Sequence, residues 1–128
     1  MELVTIVTVL ALIQYTWFGI QVGQQRVKHE CDAPAMAGAT EFERMFRVHY
    51  NTMEQLVVFL PALWLYAHLV NPLWGTGLGV VYLIGRFIYR TTYLKDPDSR
   101  SLGFMLTFLP SAVMLVWVLA VSVLSLFK

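Results

Sequence analysis

Three uncharged runs divide this chain: residues 3–25, 55–85 and 101–127 contain no Asp, Glu, Lys or Arg. About 20 apolar residues in a helix cross a hydrocarbon core about 30 Å thick, so the first and last runs each suit one span. The middle run is too long for one. Its centre reads Asn71-Pro72-Leu73-Trp74-Gly75. Proline disfavours helical geometry at the preceding residue and suits the first turn of a new helix, so one helix ends here and another begins. The expected fold is all-α: an integral-membrane four-helix bundle, a single domain over residues 1–128 with spans at about 3–25, 41–70, 73–95 and 100–126. Pro110 is expected to kink the last helix without stopping it, because neighbouring helices resatisfy its backbone.

Composition excludes other classes. Hydrophobic residues make up 58% and charged residues 13% of the chain, against about 45–50% and 25% in soluble domains. The net charge of +1 provides no field that would attract nucleic acid. Met1-Glu2 lacks the basic start of a secretory signal, so the first run is expected to remain as a span. The lone Cys31 cannot form an intrachain disulfide, and His29, His49 and His68 lack metal-ligand spacing, so no metal site is expected. His68 lies in the apolar half of the second helix and is expected to be buried and hydrogen-bonded.

Residues 29–40 are small or polar and read as a loop. Thr40 and Glu43 then have capping-box spacing for the start of the second helix. A continuous helix from Glu41 to Val70 would be about 45 Å long and would project beyond the hydrocarbon. Arg26, Lys28, Arg44, Arg47, Arg86, Arg90, Lys95 and Arg100 belong to the first and third connections or adjoining helix ends, and only Lys128 lies opposite. This asymmetry places the eight in the cytoplasm and both termini on the other side. Gly19-x-x-x-Gly23 and Gly75-x-x-x-Gly79 match the close-packing pattern of membrane helices.

On the second helix Arg44, Arg47, Asn51 and Glu54 fall within an arc of about 80°. Arg44 alone reads as a headgroup charge, but Glu54 borders the uncharged run and needs a partner. On the third helix Tyr82, Arg86, Tyr89, Arg90 and Tyr93 fall within about 100°, with Tyr82 and Arg90 read as interfacial anchors. Arg26 and Arg100 reach the same end. Such a cluster suits a small, multiply charged, hydrophilic molecule, with guanidinium groups for its carboxylates and Glu54 for its ammonium.

The run Glu43-Arg44-Met45-Phe46-Arg47-Val48-His49-Tyr50-Asn51-Thr52-Met53-Glu54 resembles the E-R-x-x-R-x-H/Q-x-N-x-x-E signature of the MAPEG superfamily, the membrane-associated proteins of eicosanoid and glutathione metabolism. Gly85-Arg86-Phe87-Ile88-Tyr89, then Tyr93, Pro97, Arg100-Ser101 and Gly103, resembles the segment linking helices three and four in its microsomal glutathione transferase branch. The resemblance implies a homotrimer, with the co-substrate glutathione bound between adjacent subunits near the cytoplasmic face of a bacterial inner membrane. It assigns glutathione contacts to Arg26, Arg47, His49, Asn51, Glu54, Arg86, Tyr89 and Tyr93. Arg100 stands where an arginine stabilises the thiolate, and Ser101 where a serine is the alternative thiol partner. The implied enzyme is a glutathione transferase acting on lipophilic electrophiles, with peroxidase activity towards lipid hydroperoxides. The alternative is a non-catalytic lipid-binding or scaffold protein of the same fold, a role in which the catalytic arginine is dispensable.

Overall fold

The computed structural model describes residues 1–128 as four long helices in series. These are α1 (Glu2–His29), α2 (Thr40–Leu69), α3 (Pro72–Lys95) and α4 (Ser101–Ser125), with a single 3₁₀ turn at Pro97–Ser99 before α4. At 1.5 Å per residue the helices run from about 36 to about 45 Å, each long enough to cross a bilayer core. Length and composition together single out two segments, Glu2–His29 and Pro97–Ser125, as apolar enough to span on their own. The sequence reading expected four. The difference lies in α2 and α3, which carry the polar faces and bury much of them against other helices.

Local chemistry fixes the helix ends. The Asn71 side chain accepts from the backbone N–H groups of Leu73 at 2.8 Å and Trp74 at 3.1 Å, with Pro72 in the first turn. Only Val70 and Asn71 separate the two helices, so α2 and α3 form a tight hairpin. At the start of α2 the expected capping box is not formed. Ala39 occupies the N-cap and has no side chain to donate or accept there. Glu43 instead reaches one residue further back and accepts from Gly38 N–H at 2.9 Å. Pro61 and Pro110 both lie inside helices that continue past them.

Two apolar clusters form the core. The one at the hairpin end gathers Val4, Val7, Ala11, Phe59, Leu63, Tyr82 and Met114, among others. The other, at the basic end, consists of Phe18, Val22, Phe42, Met45, Val48 and Tyr89. Polar residues interrupt the space between them. Gln14, Asn51, Thr52, Arg86, Thr107 and Ser111 are all buried, and Gln14 Nε2 ties α1 to the Leu83 carbonyl of α3 at 3.0 Å.

Glycines set the closest helix approaches. A Cβ at Gly79 would lie 2.6 Å from Val7 Cγ1, so this half of the second expected pair brings α3 against α1, while a Cβ at Gly75 would face Leu63 and Tyr66 of α2 at 3.4 Å. Gly23 of the first pair faces open space. The close contacts with backbone atoms come from glycines outside that pattern. A Cβ at Gly85 would sit 2.9 Å from the Leu106 backbone carbon, and one at Gly103 would sit 2.5 Å from Tyr89 Cα. Backbone therefore meets backbone where α3 and α4 cross, which only glycine permits.

Candidate active site

The α3–α4 crossing places the site. Gly103 lies against Tyr89, so Arg100, one turn earlier on α4, is drawn to the same end of α3 as Tyr89 and Tyr93. Tyr89 and Tyr93 are one turn apart on α3 and their rings stack, with centroids 5.4 Å apart and planes 14° from parallel. From the other side α2 presents Arg47 and Asn51. These five residues and Phe104 line one cleft of about 280 Å³.

Glu54 finds its partner at the rim of this cleft. Its carboxylate lies 3.6 Å from Arg47 Nη1 and accepts from Asn51 Nδ2 at 3.5 Å. Both ends of the ion pair remain about half exposed, at 49% for Arg47 and 45% for Glu54. An exposed pair of this kind contributes little to stability, and both charges stay open to a ligand. Asn51 is held from behind. Arg86 Nη1 donates to Asn51 Oδ1 at 2.9 Å, which fixes the amide with its Nδ2 towards Glu54.

Arg86 itself is fully buried. Its guanidinium lies over the Tyr89 ring at 4.3 Å, and its Nε and Nη2 have no hydrogen-bond partner in the chain. The sequence reading placed it among the ligand contacts. In the fold it stands behind Asn51 and Tyr89 and reaches the cleft only through them.

Arg26 and His49 are not brought to the cleft. Arg26 donates to the carbonyls of Cys31 at 3.1 Å and Ala35 at 2.8 Å and lies over the Phe42 ring. His49 turns towards α1, where its ring stacks on Tyr15 at 4.4 Å and faces Gly19. Ser101 is exposed at the start of α4 and does not line the cleft. Arg100 is also exposed, and its Nη1 donates to the Pro97 carbonyl at 2.9 Å. That bond closes the turn before α4 and leaves the rest of the guanidinium open.

Three other residues depart from expectation. Arg44 is no solvated headgroup charge, because its Nη1 caps α3 through the carbonyls of Leu94 at 3.0 Å and Lys95 at 3.1 Å. Tyr82 is no interfacial anchor: it is fully buried and stacked on Phe59, with ring centroids 3.8 Å apart. His68 is exposed, and Trp64 is its aromatic neighbour. Phe104, which completes the cleft wall, was missed because an aromatic residue in an apolar run carries no separate signal.

Comparison with known proteins identifies the family. An uncharacterized protein of Synechocystis is 41% identical over 111 residues, covering 87% of this chain and 81% of that protein. Human microsomal glutathione S-transferase 2 is 36% identical over 105 residues, covering 82% and 71%. Leukotriene C4 synthase of Cavia porcellus is 31% identical over 98 residues, covering 77% and 65%. The MAPEG family model matches residues 4–120, which contain all four helical cores and every residue of the cleft. The chain belongs to the MAPEG family, a family of membrane proteins.

Proposed function

We propose that this protein is a membrane glutathione transferase that holds the glutathione thiolate beside Arg100 for attack on lipophilic electrophiles. The observation that carries the reading is the convergence of Arg47, Asn51, Tyr89, Tyr93 and Arg100 on one cleft, with Glu54 at its rim. Glutathione has two carboxylates, one ammonium, two amides and a thiol. Arg47 suits a carboxylate and Glu54 the ammonium, while Asn51 and the tyrosine hydroxyls suit the amides. The similarity to microsomal glutathione S-transferase 2 supports the same assignment.

A free thiol has a pKa of about 8.5, so at neutral pH little of it is thiolate. The guanidinium of Arg100 favours the anion and raises that fraction. The thiolate sulfur then forms a bond to the electrophilic carbon, and the leaving group departs with the electron pair of the bond that breaks. With a lipid hydroperoxide the sulfur attacks the outer oxygen. The O–O bond breaks, the lipid leaves as an alkoxide that takes up a proton, and a second glutathione converts the sulfenic acid to disulfide and water. Ser101, the alternative thiol partner by resemblance, is exposed outside the cleft, so Arg100 carries this role. Both substrates are lipid-soluble and reach the sulfur from the membrane, while glutathione enters from the side of the eight basic residues, read as cytoplasmic.

The cleft of one chain is open, and Arg26 and His49 lie on a separate face. This split fits a homotrimer in which each glutathione bridges two chains. Titration of the detergent-purified protein with glutathione, read by calorimetry and by the ultraviolet thiolate band, tests the site. Wild type should bind and show the band. Glu54→Ala should bind more weakly, and Arg100→Ala should lose the band while keeping measurable affinity. Absence of binding in wild type would overturn the enzyme reading in favour of a non-catalytic lipid-binding or scaffold role.

A further inference from the structure

A second polar cavity, of about 340 Å³, opens between α1, α2 and α3 at the basic end, apart from the Arg100 cleft. Its floor and walls include Gln21, Gln24, Gln25, Glu41 and Arg90. No residue of the cleft contributes to it. Arg90 donates through Nε to Gln21 Oε1 at 2.7 Å and stacks over Trp17 at 5.3 Å. Its Nη groups make no hydrogen bond within the chain and offer the cup a fixed cation. Gln25 Oε1 is buried and has no partner. Glu41 uses Oε2 for both Lys28 and His29, at 3.3 and 3.2 Å, which leaves Oε1 available. The cup therefore presents a guanidinium at one place and unsatisfied acceptors at another. A buried acceptor without a partner is costly, so the occupant that fits carries a hydrogen-bond donor as well as an anionic oxygen.

An exposed apolar strip leads away from the cup along α1 and α3. Trp17, Gln21 and Gln24 share one stripe of α1, and Phe87, Arg90 and Leu94 share one stripe of α3. The Trp17 and Phe87 rings face each other across the two helices at 6.1 Å. Both are exposed, as are Ile13 and Ile84 one turn further in. From Gln21 or Gln24 to Ile13 is eight to eleven residues, about 12–17 Å along a helix. That matches one leaflet, about half of a 30 Å hydrocarbon core. A polar cup at the end of an exposed apolar strip of leaflet length suits a lipid, headgroup in the cup and chain along the strip.

We propose that the cup binds the headgroup of a membrane phospholipid whose phosphate is followed by a hydrogen-bond donor, with an acyl chain lying along the exposed Trp17–Phe87 strip. Arg90 takes the phosphate, and Gln25 Oε1 and Glu41 Oε1 accept from the terminal ammonium or hydroxyl. Phosphatidylethanolamine and phosphatidylglycerol meet this requirement. Phosphatidylcholine does not, because its quaternary ammonium has no N–H.

Native mass spectrometry of the full protein, released from detergent containing equal amounts of the three lipids with identical chains, tests this. Ethanolamine and glycerol lipids should be retained about fivefold over the choline lipid, the ratio set by one net hydrogen bond. Gln25→Leu should remove that preference, and Arg90→Gln should lower retention of all three. Gln25→Glu keeps an acceptor and adds a negative charge, so it should favour the ethanolamine lipid over the glycerol lipid. Soluble glycerophosphoethanolamine should fail to displace the lipids. Equal retention of the three lipids by wild type would overturn the proposal, as would a preference that survives in Gln25→Leu. Displacement by the soluble headgroup at the same concentration would overturn the role of the apolar strip. None of these readouts depends on glutathione.

Discussion

A fully buried guanidinium is the most costly single residue in this chain. Arg86 has one good hydrogen bond, to Asn51, and a cation–π contact with Tyr89, while two of its nitrogens lack partners in the chain. Taking an incompletely paired guanidinium out of water carries a desolvation cost of several kcal/mol, and an apolar side chain of similar volume avoids it. Retaining arginine here therefore makes more sense for the orientation of Asn51 and Tyr89 than for stability. Arg86→Met should leave the melting temperature unchanged or raised, whereas glutathione affinity should fall about tenfold as the Asn51 amide loses its charge-assisted bond. Thermal unfolding beside calorimetric titration checks both, and unchanged affinity would refute the positioning role. The sequence made Arg47, Asn51 and Glu54 legible as one polar face because helical spacing alone aligns them. It could not distinguish Arg86 from them, since α3 presents Arg86 and Tyr93 on one arc although the fold buries the first and leaves the second half-exposed.

Among the helices, the α3–α4 crossing positions the cleft. A methyl group on residue 103 would collide with the Tyr89 backbone, which cannot swing aside as a flexible side chain would. Gly103→Ala should force α4 away from α3, with a stability loss of about 1–3 kcal/mol, and should carry Arg100 away from Tyr89 and Tyr93. Gly77→Ala is the control. Nothing lies within 4 Å of a Cβ there, so the better helix propensity of alanine should stabilise α3 by up to about 1 kcal/mol. Unfolding of both variants, with the thiolate band recorded for each, separates the two outcomes. If Gly103→Ala keeps both stability and the band, the crossing does not position Arg100. Elements themselves were readable, since uncharged runs, the Asn71-Pro72 break and a basic connection each have a direct physical cause. The glycine contacts were not. The spacing pattern pointed to Gly23, which meets nothing, and passed over Gly85 and Gly103, because a pattern within one helix does not report which helix lies opposite.

For the whole molecule, the separation of Arg26 and His49 from the cleft is the feature a single chain leaves open. Arg26 is on the α1–α2 side and engages loop carbonyls and Phe42, while Arg100 stands at the α3–α4 end of the cleft. If each glutathione bridges two subunits of a closed ring, the cleft of one chain works with Arg26 of its neighbour. Complementation distinguishes this from a site built within one chain. Arg26→Ala and Arg100→Ala should each be nearly inactive as pure assemblies, because every site lacks one guanidinium. Co-expressed in equal amounts and assembled at random, they should recover about a quarter of wild-type activity. A site is intact only when an Arg26→Ala chain supplies the cleft and an Arg100→Ala chain supplies Arg26, and each condition holds for half of the chains. A site confined to one chain would give no recovery, since every chain carries one of the two lesions. Mixing the proteins after separate purification gives the matching control: activity should appear only under conditions in which subunits exchange.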